Sequence, residues 1–85
     1  MAAYSIFFRD SVRKDLSAIP KNDLARIMDR IKGLAENPRP AGSEKLTGLE
    51  RYRIRQGNYR IVYSIQDHEL TVWVVKVGHR REVYR

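Results

Sequence analysis

The chain of 85 residues carries 17 Lys and Arg against 10 Asp and Glu, a net charge of +7, and has no cysteine. That length argues against a second domain, and the missing cysteines exclude a disulfide framework and any thiolate metal site. No apolar run approaches the roughly 18 residues of a membrane span, and the first residues lack the apolar core of a signal peptide, so a cytoplasmic protein without membrane contact is expected.

Ala3 to Phe8 (AYSIFF) is dense in aromatic and β-branched residues and predicts a first strand. Asp10 or Ser11 is placed to cap a helix whose apolar face is Val12, Leu16 and Ile19. Pro20 ends that helix or opens the next. From Lys21 to Glu36, Leu24, Ile27, Met28, Ile31 and Leu34 form a stripe at helical spacing, opposite a polar face of mixed sign. Asn37-Pro38-Arg39-Pro40-Ala41-Gly42 is a breaker-rich loop. Arg51–Gln56 and Tyr59–Gln66 read as strands joined by Gly57-Asn58, a two-residue loop with Gly first that suits a type II′ turn. After Asp67-His68, Leu70–Val77 is a further strand. Gly78 then breaks the pattern and leaves a short polar tail, His79 to Arg85. The order β-α-α-β-β-β predicts an α+β fold in one domain, residues 1–85: a helical hairpin packed on one face of a small antiparallel sheet.

A basic domain suits either a polyanionic partner or a solvated surface. Residues 1–42 hold eight basic and five acidic residues, and residues 43–85 hold nine and five, so segment totals locate no site. Strand register does. Side chains alternate along a strand, so Arg51, Arg53 and Arg55 share one face while Tyr52 and Ile54 share the other. With Gly57-Asn58 as the turn, Gln56 faces Tyr59, Arg55 faces Arg60 and Ile54 faces Ile61. Arg53, Arg55 and Arg60 thus crowd one face, where directly opposed like charges destabilise a hairpin unless an anion or an acidic partner sits among them. No acidic residue of this hairpin falls there. Val62, Ser64, Thr71, Trp73 and Val75 continue that face. The opposite face, Tyr52, Ile54, Ile61, Tyr63 and Ile65, joined by Leu70, Val72 and Val74 if the second turn is also short, would receive the helices.

Arginine is a permanent cation with a planar donor fork that fits phosphate oxygens. Several around one phosphodiester would stabilise a dianionic pentacoordinate state without a metal. RNA supplies its own nucleophile, the 2′-OH, but a base must take its proton and an acid must protonate the leaving oxygen. His79, Glu82, Tyr84 and the turn residue His68 are the groups this chain offers.

Tyr52-Arg53-Ile54-Arg55, Tyr59-Arg60-Ile61-Val62-Tyr63, Val77-Gly78-His79-Arg80 and Glu82-Val83-Tyr84 resemble, in that order, the RelE branch of the RelE/ParE toxin superfamily. Upstream, Lys14-Asp15-Leu16, Asn37-Pro38-Arg39-Pro40 and Lys45-Leu46-Thr47-Gly48 fit the same pattern, so the resemblance covers residues 3–85. No single motif is decisive; the ordered set is specific. The resemblance implies a RelE-like fold and the toxin of a type II toxin–antitoxin system. It would be an mRNA interferase: a metal-independent endoribonuclease that cuts mRNA in the ribosomal A site by 2′-OH attack and leaves a 2′,3′-cyclic phosphate, inhibiting translation. By position, Arg53 and Arg55 match paired basic residues with general-base or electrostatic roles. In the family these are often lysines, and arginine hardly gives up its proton, so the resemblance leaves the base open. Arg60 and Arg80 match arginines that stabilise phosphate charge and assist the leaving group, and Tyr84 matches a tyrosine that stacks on the mRNA base. His79 is an auxiliary acid by the same carry-over, with Lys45, Arg51 and Arg81 as auxiliary RNA-binding positions. No cofactor or metal is implied. The implied partners are a cognate acidic antitoxin, the 70S ribosome and its mRNA, and operator DNA only indirectly through the antitoxin, with no membrane. Two other readings stay open: a ParE-like DNA gyrase inhibitor, which shares the fold but generally lacks the basic-plus-tyrosine set, and a catalytically inactive, antitoxin-bound co-repressor.

Overall fold

The computed structural model describes residues 3–48 and 50–79. In chain order it has β1 (Ser5–Phe8), α1 (Asp10–Ser17), α2 (Lys21–Gly33), β2 (Glu44–Lys45), β3 (Arg51–Gln56), β4 (Tyr59–Gln66), a short 3-10 turn (Asp67–Glu69) and β5 (Thr71–His79). The five strands form one sheet in the order β1-β5-β4-β3-β2, and the fold is α+β. β2 through β5 run antiparallel to their neighbours, whereas β1 lies parallel to β5, so the sheet is mixed. No tight hairpin joins β1 to β5. The whole intervening chain connects them, and a crossover of that length permits parallel pairing. The end of α2 returns to the start of β1, where the Tyr4 amide donates to the Ala35 carbonyl at 2.7 Å.

The helical stripes meet the sheet as their spacing requires. Val12 from α1, Ile27 and Ile31 from α2, and Leu34 just beyond it pack on Ile54, Ile61, Tyr63, Val72, Val74 and Val77, all buried. Each such side chain contributes about 1.5–3 kcal/mol by leaving water. Asp10 is the first residue of α1 and Arg9 occupies the cap position without a side-chain cap bond, so neither Asp10 nor Ser11 is the cap. The Asp10 carboxylate still lies in the first turn, where the helix dipole favours it. Pro20 opens α2.

The β3–β4 register is the one the alternation predicts: Gln56 with Tyr59, Arg55 with Arg60, Ile54 with Ile61. Gly57 takes φ 59° while Asn58 stays out of the left-handed region, the pattern of a type II′ turn. The β4–β5 turn differs from the expected two residues. Gln66 pairs with Thr71, a 3-10 turn fills the gap, and Leu70 adopts a left-handed φ of 48°. Leu70 is therefore exposed and does not join the core face. β5 also carries a bulge: Tyr63 pairs with Val74 but Ile61 pairs with Val77, two residues on β4 against three on β5. The extra residue brings both valines onto the helix side. Just beyond the bulge the Val77 amide donates to Asp15 Oδ2 of α1 at 3.1 Å, and Lys76 Nζ lies 3.6 Å from Asp15 Oδ1. Among the described residues, no helix is long and apolar enough to cross a membrane.

Candidate active site

The sheet face turned away from the helices carries the arginines. Arg53, Arg55 and Arg60 line one open cavity of about 270 Å³ together with Gly42 and Glu44. β3 and β4 hold the three guanidinium groups in place by ladder pairing, since Arg55 and Arg60 are registered partners. Arg60 is only 4% exposed. Its neighbour across β5 is Gly78, which puts no side chain on that face.

β2 closes the cavity's other side, a strand that the residue pattern of this stretch does not predict. Glu44 pairs with Arg53 across the β2–β3 ladder, and its Oε1 lies 3.4 Å from Arg53 Nε. The arginine face thus has a carboxylate after all, donated by a neighbouring strand rather than by the hairpin. Gly42, at φ 91°, turns the chain into β2 in a conformation that an L side chain rarely adopts.

The loop before β2 is pinned at the opposite end of the sheet. Tyr63, fully buried, donates from its hydroxyl to the Pro38 carbonyl at 2.7 Å and stacks on Tyr52 at 5.9 Å. Burial pushes the Tyr63 hydroxyl's pKa above the ordinary tyrosine value. Arg39 lies over the Tyr52 ring at 5.2 Å and donates to the Tyr52 hydroxyl at 3.1 Å. Its guanidinium also forks onto Asp67, 3.2 Å to Oδ1 and 2.9 Å to Oδ2, while the Tyr4 hydroxyl donates to Asp67 Oδ1 at 2.8 Å. Donation from Arg39, then from Tyr4, lowers the Asp67 carboxyl to about 2. The same contacts raise the Tyr4 hydroxyl and the Arg39 guanidinium above their ordinary values.

A model of the family described as "ParE toxin of type II toxin-antitoxin system, parDE" matches residues 6–84. Toxin RelG of Mycobacterium tuberculosis is 33% identical over 96% of this chain and 97% of its own length. The chain belongs to the RelE/ParE superfamily of type II toxins. The mRNA interferase toxin RelE of Escherichia coli is 28% identical to it, over 96% of the chain and 90% of the relative. Its fold matches the M. tuberculosis RelBE2 toxin–antitoxin complex with a TM-score of 0.84 at 30% identity, covering 94% of each chain. The archaeal RelE–RelB complex of Pyrococcus horikoshii matches with a TM-score of 0.79 at 27% identity, over 92% of this chain and 96% of that one.

The toxin's remaining candidate residues divide. Arg51 shares the arginine face, opposite Ser64, but does not line the cavity. Lys45 alternates to the other face, opposite Tyr52, with its Nζ 3.8 Å from Glu50. His79 is placed apart from the arginines. β5 runs on through Gly78 rather than breaking there, so His79 pairs with Tyr59 on the helix side, ring edge to ring face at 5.9 Å. It lines a second cavity of about 380 Å³ with Lys14, Asp15 and Ile19, apart from the arginines. Arg80, Arg81 and Tyr84 lie outside the described residues. Phe7 and Trp73, 46% and 37% exposed, stack at 5.1 Å on the arginine face, so Trp73 is surface rather than core. Among the described residues no group of three His, Cys, Asp or Glu is placed to hold a metal ion.

Proposed function

We propose that this toxin is a ribosome-dependent endoribonuclease that cuts mRNA in the A site, with the RNA's own 2′-OH as nucleophile and no metal ion. The observation that carries this reading is the convergence of Arg53, Arg55 and Arg60 on one cavity. Three permanent cations around one phosphodiester favour the state in which its negative charge is greatest. They are preorganised by strand pairing, so little rearrangement is required as charge develops. The ribosome, by holding the mRNA, would supply the positioning that so small a site cannot. Relatives named mRNA interferases support the same activity, and solved toxin–antitoxin complexes of this fold support a cognate antitoxin. An acidic antitoxin segment suits the arginine face by charge, and the exposed Phe7–Trp73 pair gives its apolar side chains a place to rest.

The test is incubation with programmed ribosomes and mapping of the mRNA ends. Cleavage within the A-site codon, leaving 2′,3′-cyclic phosphate and 5′-hydroxyl ends, is expected. The family model's ParE description favours one second reading, gyrase inhibition. Uncut mRNA together with blocked DNA supercoiling would replace the first reading by the second. Arg80→Ala and Tyr84→Ala should each abolish most growth arrest while preserving antitoxin binding. Full toxicity of both variants would overturn the tail assignment.

A further inference from the structure

The three arginines supply charge but no group that readily accepts a proton. Among the described residues lining their cavity, Glu44 alone carries a carboxylate, a side chain that can take up a proton. Its position is fixed by the ladder: it pairs with Arg53, on the face that Arg53, Arg55 and Arg60 share. Its side chain is 67% exposed, open to a substrate entering the cavity, while Arg53 Nε, 3.4 Å from Oε1, keeps the carboxylate turned toward the guanidinium cluster. His79 faces the other side of the sheet. We infer that Glu44 is the general base of the cleavage reaction, an inference that rests on the nuclease reading above. The Glu44 carboxylate takes the proton of the 2′-OH. The 2′-oxygen's electron pair forms the new bond to phosphorus, and the bond from phosphorus to the 5′-oxygen breaks. The leaving 5′-oxygen takes a proton from water, which gives a 2′,3′-cyclic phosphate and a 5′-hydroxyl. The arginines hold the phosphate oxygens throughout.

The experiment measures single-turnover cleavage of ribosome-bound mRNA by wild type, Glu44→Gln and Glu44→Asp from about pH 6 to 9, with ribosome co-sedimentation as the binding control. Glu44→Gln should bind ribosomes normally but cut about 10²–10⁴-fold more slowly at neutral pH, with Glu44→Asp recovering part of the rate. The residual Glu44→Gln rate should climb about tenfold per pH unit, because hydroxide replaces the lost base, while the wild-type rate shows no such climb. If Glu44 only holds Arg53 in place, the deficit will be the same at every pH, and the inference fails. It fails equally if Glu44→Gln cuts within about threefold of wild type. mRNA left uncut by the wild-type toxin is a different result, and overturns the nuclease reading and this inference together.

Discussion

Replacing Tyr63 by Phe removes one oxygen atom and tests how the cavity-bearing loop is anchored. The ring is fully buried, and its hydroxyl donates to the Pro38 carbonyl at 2.7 Å. Phe keeps the ring volume and the stack on Tyr52, so no cavity penalty of note arises. The loss is the bond to Pro38 together with the hydroxyl's contact to Ser43, and it strands an acceptor in a region from which water is excluded. Leaving a buried acceptor unpaired costs about 1–3 kcal/mol. In a domain of this size each kcal/mol moves the melting midpoint by about 4–8 °C, so a fall of roughly 4–24 °C is expected. Calorimetry gives the midpoint, and urea titration should show an unchanged slope, since the surface exposed on unfolding is the same. The loop runs from Pro38 through Gly42 to Glu44, so on the proposed nuclease reading RNA cleavage should also fall at temperatures where the variant remains folded. A midpoint shift smaller than about 1 °C would refute the reasoning, because it would mean that the Pro38 carbonyl never depended on Tyr63.

Asp67 titrates near 2 in the folded chain, below its ordinary 3.8, so its contribution to stability is complete above the ordinary value and is lost as pH falls toward 2. Wild type and Asp67→Asn should therefore differ in melting midpoint at neutral pH and converge between about pH 5 and 2, whereas a constant gap would contradict the Arg39 clasp. Arg55→Gln should raise the denaturation midpoint of the free toxin by relieving cross-strand repulsion, since Arg55 is exposed and registered with Arg60. Arg60→Ala should lower it, because Arg60 is buried and its stem contributes packing; a lower midpoint for Arg55→Gln or a higher one for Arg60→Ala in urea titration would refute this assignment. Asp15→Ala strands the Val77 amide just beyond the bulge, at a cost of about 1–3 kcal/mol, and should speed hydrogen exchange at that amide; unchanged exchange would show that the amide has another acceptor.

The parts of this fold that were legible in the sequence are those where a short-range rule applies at every step. Gly57 permits the type II′ turn, that turn fixes the β3–β4 register, and the register alone places Arg53, Arg55 and Arg60 on one face. The helical stripes are equally local. β2 was not legible because two residues, Glu44 and Lys45, carry no periodicity; only pairing with β3 makes them a strand. That omission hid Glu44, although the unbalanced charge of the hairpin already called for an anion from elsewhere. The Arg39–Asp67 clasp joins residues 28 apart in the chain, and no local pattern links them. The longer second turn is not legible because Leu is a poor occupant of the left-handed region, yet Leu70 takes it at the end of a 3-10 turn.

The bulge in β5 connects these successes and failures. Strict alternation from Val74 would send Lys76 to the core opposite Ile61 and set Val77 against Arg60. One extra residue gives Ile61 a buried partner in Val77 and sets Gly78 beside Arg60, so the same irregularity completes the core and clears space on the arginine face. The cost is a locally disrupted ladder, and just beyond it Asp15 of α1 accepts the Val77 amide, tying the resumed strand to the helix. Arg60 is buried beside a neighbour that has no side chain, and that neighbour is Gly78 because the bulge shifts the register by one residue. A position that looked like a strand terminator in the sequence is thus the place where the sheet accommodates its charge.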